Sequence, residues 1–233
     1  MCSSDLHYTP PQLVKGKKDA VSVGIDERGN PMHLLNPLLG DIDAHVRMMD
    51  YAGLDAAVLS SMVGFDQPDL GICRIINDDM ARVEKKHPGR FIGLAHVPAL
   101  KAKEAKAELK RCKVDLGFPG VVIASEIQGR GLDAEELRPF WKAAADLDMY
   151  VFIHPLPKVI SWDQMYNDDL GRMLGWEFSL MTAAVGAPSS RSAKRPLRMS
   201  PSVVTPLKGM SRNEASLVCQ SAFRAAGSPS RIS

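Results

Sequence analysis

His154 ends the apolar run Tyr150-Val151-Phe152-Ile153 and is followed at once by Pro155. An imidazole at the carboxyl end of a buried strand can coordinate a metal or move a proton, and in α/β folds the side chains at those strand ends line the active site. The plain alternative is a histidine that only hydrogen-bonds at a strand end. His96 closes a second apolar run, Phe91-Ile92-Gly93-Leu94-Ala95, where it either borders a pocket or packs in the core with a hydrogen-bond partner. His33 and His87 lie in turn-like contexts and carry no assignment. Cys2, Cys73, Cys112 and Cys219 are far apart and form no CxxC pair, so they read as reduced thiols of a cytosolic protein.

The run ending in His154 follows an amphipathic stretch over 133–147, in which Leu137, Phe140, Trp141, Ala144 and Leu147 form one apolar stripe. Asp133 and Glu136 are expected to cap its start as a capping box. The same alternation of helix and strand recurs along the chain. Helices are expected over 43–52, closed by Gly53, and over 101–112. Another is expected over 70–86, with Ile72, Ile76, Met80 and Val83 inward and Asp78, Asp79, Glu84 and Lys85 outward. Strands are expected over 56–61, 91–98 and 120–124. The segments 21–25 and 32–35 flank a turn-rich centre, a hairpin-like excursion. A poor strand fits just before His7, and Tyr8-Thr9-Pro10-Pro11 stops it.

Spacings of roughly 25 to 35 residues match βα units, which place helices outside a parallel sheet. About four such units are legible, whereas a (β/α)8 barrel has eight and about 250 residues. The expected fold is therefore α/β, an incomplete (β/α)8 TIM-like barrel.

The 233 residues fit one domain, or one and a part, with a hydrophobic fraction of 45% and a charged fraction of 24% typical of globular chains. No apolar run reaches the length of about 18 residues that a membrane span needs. The N-terminus lacks a basic and an apolar signal region, which again reads as cytoplasmic. The net charge of +2 hides an asymmetry. Residues 186–233 hold eight Lys/Arg, one acid, eleven Ser and five Pro, while the rest of the chain is mildly acidic. The acidic body gives no sign of nucleic-acid binding, and the tail reads as disordered. The expected boundaries are a barrel domain over 1–185, with a last helix over 168–185, and a tail over 186–233 with at most a weak helix over 213–226.

Four stretches, in this order and spacing, resemble the amidohydrolase-related (amidohydrolase 2) family. They are His7-Tyr8-Thr9-Pro10-Pro11, then Met49-Asp50-Tyr51-Ala52-Gly53-Leu54-Asp55 leading into Ala57-Val58-Leu59-Ser60, then Asn77-Asp78 through Pro88-Gly89-Arg90-Phe91, and finally Val151-Phe152-Ile153-His154-Pro155. The resemblance covers roughly residues 5–185. It implies a distorted (β/α)8 barrel around one divalent metal, usually zinc, held by an HxH pair on the first strand, a histidine ending a middle strand and a late aspartate. A later histidine takes part in catalysis. Such a metal keeps a position for water, whose pKa it lowers towards about 7, and supports decarboxylation or, in relatives, hydrolysis.

Carried over by position, the resemblance makes His154 the middle-strand ligand and His7 the second histidine of the pair. Asp5 stands where the first histidine would be, and a carboxylate can also ligate zinc, so Asp5-x-His7 is a candidate substituted pair. His45 and Arg47 fall where the family places a basic group for a substrate carboxylate, a role that suits the planar guanidinium; a solvated helix face is the alternative. Trp162 and Trp176 are candidate pocket walls, and Trp162 is grouped with His45, Arg47 and His96 as substrate-binding. No histidine follows His154 and no aspartate follows Asp169, so the family's later histidine and late aspartate have no counterpart in this sequence.

The resulting expectation is a zinc-dependent decarboxylase or hydrolase acting on a small carboxylated substrate, cytoplasmic, in a homo-oligomer, with neither nucleic acid nor membrane as partner. The alternative is a non-catalytic chain that survives by pairing its open sheet edge with another chain. An open α/β nucleotide-binding module is set aside, because Gln128-Gly129-Arg130-Gly131 does not match a GxGxxG fingerprint.

Overall fold

The structure is a computed structural model that describes residues 6–14, 21–25, 31–35, 37–154 and 199–201. Asp5, Trp162, Trp176 and the helices expected over 168–185 and 213–226 lie outside the described residues.

The chain opens with strand β1 (Leu6–His7) and a single helical turn, α1 (Pro11–Val14). Proline is suited to a first helical position because it has no amide hydrogen to leave unpaired. Pro11 therefore starts a helix as well as ending what precedes it. The antiparallel strands β2 (Val21–Ile25) and β3 (Pro31–Leu35) form the expected hairpin. Helix α2 (Ile42–Ala52) begins with the Asp41 carboxylate accepting the Ala44 amide at 2.9 Å. It stops at Gly53, whose φ of 66° is the left-handed conformation that glycine adopts without Cβ strain.

Strand β4 (Ala57–Ser60), helix α3 (Leu70–Lys86), strand β5 (Phe91–Ala95), helix α4 (Ala102–Val114) and strand β6 (Gly120–Ala124) follow as successive βα units. A small hairpin of β7 (Glu126–Ile127) and β8 (Arg130–Gly131), helix α5 (Arg138–Asp146) and strand β9 (Tyr150–His154) complete the run. Strand β10 (Met199–Pro201) pairs in parallel with β9, inside the stretch that composition alone reads as tail.

The main sheet has the order β1-β4-β5-β6-β9-β10, with every neighbouring pair parallel. Sequential strands lie side by side, so the sheet winds in one direction, as in a (β/α)8 barrel. The described sheet supplies six strands of such a barrel. All five residues of β6 are buried, as the continuous apolar run of a covered parallel strand requires.

Two local expectations are corrected. Asp133 and Glu136 do not cap a helix. The chain there forms a 3-10 turn, Glu135–Leu137, whose capping position is Ala134 with no side-chain cap, and Glu136 pairs with Arg130 at 3.1 Å. Helix α5 starts only at Arg138 and has proline in its first turn, so one amide that a cap would serve is missing. On α3, Asp79 and Glu84 do not face water. Asp79 is buried, accepting the Tyr8 hydroxyl and the Arg82 Nε at 2.8 Å, and Glu84 is half-buried, accepting the Gly93 amide. The helical wheel misplaces them because each has a fixed donor above the helix, which turns a carboxylate inward.

A buried polar knot joins α3, α4 and the end of β5. The Asn77 amide donates to the His96 carbonyl and to Glu108 Oε1, both at 2.9 Å, and its oxygen accepts the His96 amide at 2.8 Å. Burial works against the Glu108 carboxylate, but hydrogen bonds from Arg111, Asn77 and Arg74 outweigh it and hold its pKa below the ordinary value. Among the described residues no helix is long and apolar enough to cross a membrane.

Candidate metal centre

β1 and β9 stand four places apart in the sheet, which in a flat sheet is roughly 19 Å. The Nε2 atoms of His7 on β1 and His154 on β9 are nevertheless 3.1 Å apart, with ring centroids 5.2 Å apart. Only a sheet curled towards closure, with both side chains pointing inward, brings them together. Both histidines end their strands: His7 is in register with Ser60 and His154 with Ala124. The pair thus lies at the carboxyl ends of the strands, where parallel barrels place their chemistry.

Each ring is positioned by its neighbours in sequence. Side chains alternate along a strand, so Tyr8 faces away from His7. Tyr8 is fully buried, donates its amide to the Ser60 carbonyl at 2.8 Å and its hydroxyl to Asp79, and so pins the end of β1 between β4 and α3. Burial, followed by the Asp79 carboxylate, pushes the Tyr8 hydroxyl pKa well up, so it remains a donor. At the other strand, the Ser125 amide donates to the His154 carbonyl at 2.8 Å.

The donor set fits a metal in kind. Two imidazole nitrogens bound to one divalent ion at about 2.0–2.1 Å sit about 3 to 3.4 Å apart, depending on coordination geometry, and the observed separation falls in that range. Two neutral imidazoles sharing one hydrogen bond would have the same spacing. Among the described residues no group of three or more His, Cys, Asp or Glu converges on one point.

The other sequence candidates occupy different places. His96 is completely buried just beyond β5, and its Nε2 accepts the Ser61 amide at 3.0 Å. With no exposed surface and that nitrogen engaged, it sits in the core, the second of the two places expected for it; burial pushes its pKa down to about 4. His45 is half-buried on α2, its Nε2 3.3 Å from the Leu39 carbonyl oxygen and its ring edge-on to Tyr8 at 6.3 Å. Burial lowers its pKa. Arg47 points into solvent, 70% exposed, 3.9 Å from the Asp41 carboxylate.

The sequence reading missed Phe65. Its ring stacks on His154 with centroids 4.2 Å apart and stands edge-on to His7 at 6.0 Å. The Gly64-Phe65 step in the short turn after β4 is the one sequence signal for it.

The family described as "Amidohydrolase" matches residues 6–203, further along the chain than the resemblance read from motifs. The 2-amino-3-carboxymuconate-6-semialdehyde decarboxylase of Dictyostelium discoideum is 35% identical over 134 residues, 55% of this chain and 36% of that protein. The gamma-resorcylate decarboxylase of Rhizobium sp. (strain MTP-10005) is 32% identical over 164 residues, 64% of this chain and 50% of that protein. The chain thus spans half or less of the length of these curated relatives. Among solved structures, a dihydroxybenzoic acid decarboxylase from Polaromonas sp. JS666, with bound manganese and the inhibitor 2-nitroresorcinol, superposes with a TM-score of 0.58 at 25% identity. That match covers 78% of this chain and 58% of the other. With the parallel, one-way-wound sheet and paired histidines at its strand ends, the match over residues 6–203 establishes that this chain belongs to the amidohydrolase 2 family.

Proposed function

We propose that this protein is a metal-dependent decarboxylase acting on a small carboxylated, aromatic-type substrate. The observation that carries this reading is the 3.1 Å approach of His7 and His154 at the strand ends, in a family whose similar members are decarboxylases. His7 and His154 hold the metal through Nε2. Asp5, two positions before His7 in the sequence, is the third proposed ligand. When bound, the cation supplies Lewis acidity towards the substrate's oxygens.

The chain's own residues do the rest. Both imidazoles present an unprotonated Nε2, and the Asp5 carboxylate offsets the cation's charge. Arg47, exposed on α2, is the proposed partner of the substrate carboxylate, and His45 and Trp162 are the further substrate-binding candidates. Loss of CO2 leaves an electron pair on the substrate carbon, and a proton must replace it there. Zinc is the metal that the family resemblance implies. Manganese, bound in the Polaromonas relative, fits equally a site that contains a carboxylate, since carboxylate ligands suit that harder ion. A homo-oligomer in the cytoplasm completes the proposal. The decarboxylases among the relatives favour it over a non-catalytic chain paired through its sheet edge.

Elemental mass spectrometry of the purified chain tests it, beside His154→Ala, His7→Ala and Asp5→Asn. The expected result is near one zinc or manganese per chain, lost in both histidine variants and reduced in Asp5→Asn. Metal content unchanged by His154→Ala would overturn the reading. Release of CO2 from a dihydroxybenzoate, measured on the same preparation, separates turnover from metal binding.

A further inference from the structure

The loop that follows β4, residues 61–66, crosses the strand ends and carries Phe65 into the space between three histidines. Its ring is stacked on His154 at 4.2 Å with planes 27° apart. The Phe65 ring is also nearly parallel to that of His96, with centroids 6.2 Å apart and planes 11° apart. The His7 ring stands at 67° to it, with centroids 6.0 Å apart. Phe65 is itself buried and held by backbone contacts: the Ala124 amide donates to its carbonyl at 3.0 Å, and the Gly64 amide donates to the Ser61 carbonyl at 2.9 Å. The Ser61 amide donates to His96 Nε2 at 3.0 Å, and the Gln128 amide to Asp66 Oδ2 at 3.1 Å. Gly64 makes the approach possible, because a Cβ there would overlap the His96 ring.

From this geometry we infer that Phe65 is a positioning residue for the His7–His154 pair: its ring, held by the 61–66 loop and stacked on His154, fixes the plane of the His154 imidazole so that Nε2 faces His7. The inference rests on the reading of that pair as metal ligands, but it also makes a claim about the metal-free protein. A histidine on a strand end rotates about two side-chain bonds, and a ring clamped face-to-face loses that freedom before any ligand arrives. Groups that orient metal-binding histidines typically contribute about 10- to 100-fold in affinity.

Two variants separate ring stacking from simple space filling. Phe65→Leu keeps an apolar side chain without a ring, and Phe65→Tyr keeps the ring. Titration with manganese and with zinc, followed calorimetrically, is expected to show about a 10-fold weaker Kd for Phe65→Leu and a near-native Kd for Phe65→Tyr. Long-range proton–nitrogen spectra of the metal-free chains are expected to show one His154 tautomer in wild type and Phe65→Tyr, and a tautomer average in Phe65→Leu. Equal metal affinity in Phe65→Leu and wild type, or an equal loss in both variants, overturns the inference. If the wild type binds neither metal, the ligand reading fails, and the tautomer spectra alone decide on Phe65: one averaged spectrum in all three chains overturns it.

Discussion

Protonating His96 means placing a charge in the core beside Phe65 and Gly64, and it breaks the bond by which Nε2 accepts the Ser61 amide. An unfolded chain takes up that proton near pH 6.5, whereas the folded protein holds it off until about 4. The stability that the neutral ring contributes is therefore fully present above about pH 6.5 and is lost as pH falls from there towards about 4, by about 3 kcal/mol in all. Urea unfolding at pH 7 and pH 4.5, compared for wild type and His96→Gln, checks this. The variant is expected to lose less stability between the two pH values than the wild type does. An identical loss in both would mean that His96 is not the buried titrating group.

At the scale of elements, one amide ties α3 to α4 and to the end of β5. Asn77→Ala leaves the Glu108 carboxylate with one donor fewer and both backbone groups of His96 without partners in the core. Each buried group so stranded costs about 1–3 kcal/mol, so a destabilisation of about 3 kcal/mol is expected from chemical denaturation. Because His96 holds the loop that carries Phe65, the same variant is expected to weaken metal binding. Gly64→Ala acts on the same joint from the loop side. Its Cβ must displace the His96 ring or lift residues 61–66, so it is expected to lower both Tm and metal affinity, where a surface Gly→Ala would change neither.

For the whole molecule, His7 and His154 are 147 positions apart in sequence and sit on strands that only a curled sheet brings together. A metal shared by them ties the first strand to the fifth in sheet order and binds the native state alone. At a free concentration of 100 times its Kd, such a ligand raises stability by about 2.7 kcal/mol. Thermal unfolding with manganese, with zinc and with EDTA is expected to show that rise in wild type and none in His154→Ala. A metal-dependent Tm shift of equal size in His154→Ala would place the metal elsewhere.

Patterns confined to neighbouring residues were legible in the amino-acid order. The runs 120–124 and 150–154 are strands, those expected over 56–61 and 91–98 are strands over 57–60 and 91–95, α3 has the ends expected of it, and Gly53 closes α2. His154 stood out because a histidine breaking off an apolar run marks a strand end. What a side chain meets across the fold was not legible, since periodicity reports only the face of an element. Asp79 and Glu84 fall on the outer face of the helical wheel, yet Tyr8 and the Gly93 amide draw them inward. His96 and His154 follow apolar runs of the same kind, and only tertiary structure buries one in the core and turns the other towards His7. The physical reason is closure. The curl that makes β1 and β9 neighbours across the barrel mouth, and carries Phe65 between three histidines, comes from packing summed over the whole sheet, which no local stretch of sequence encodes.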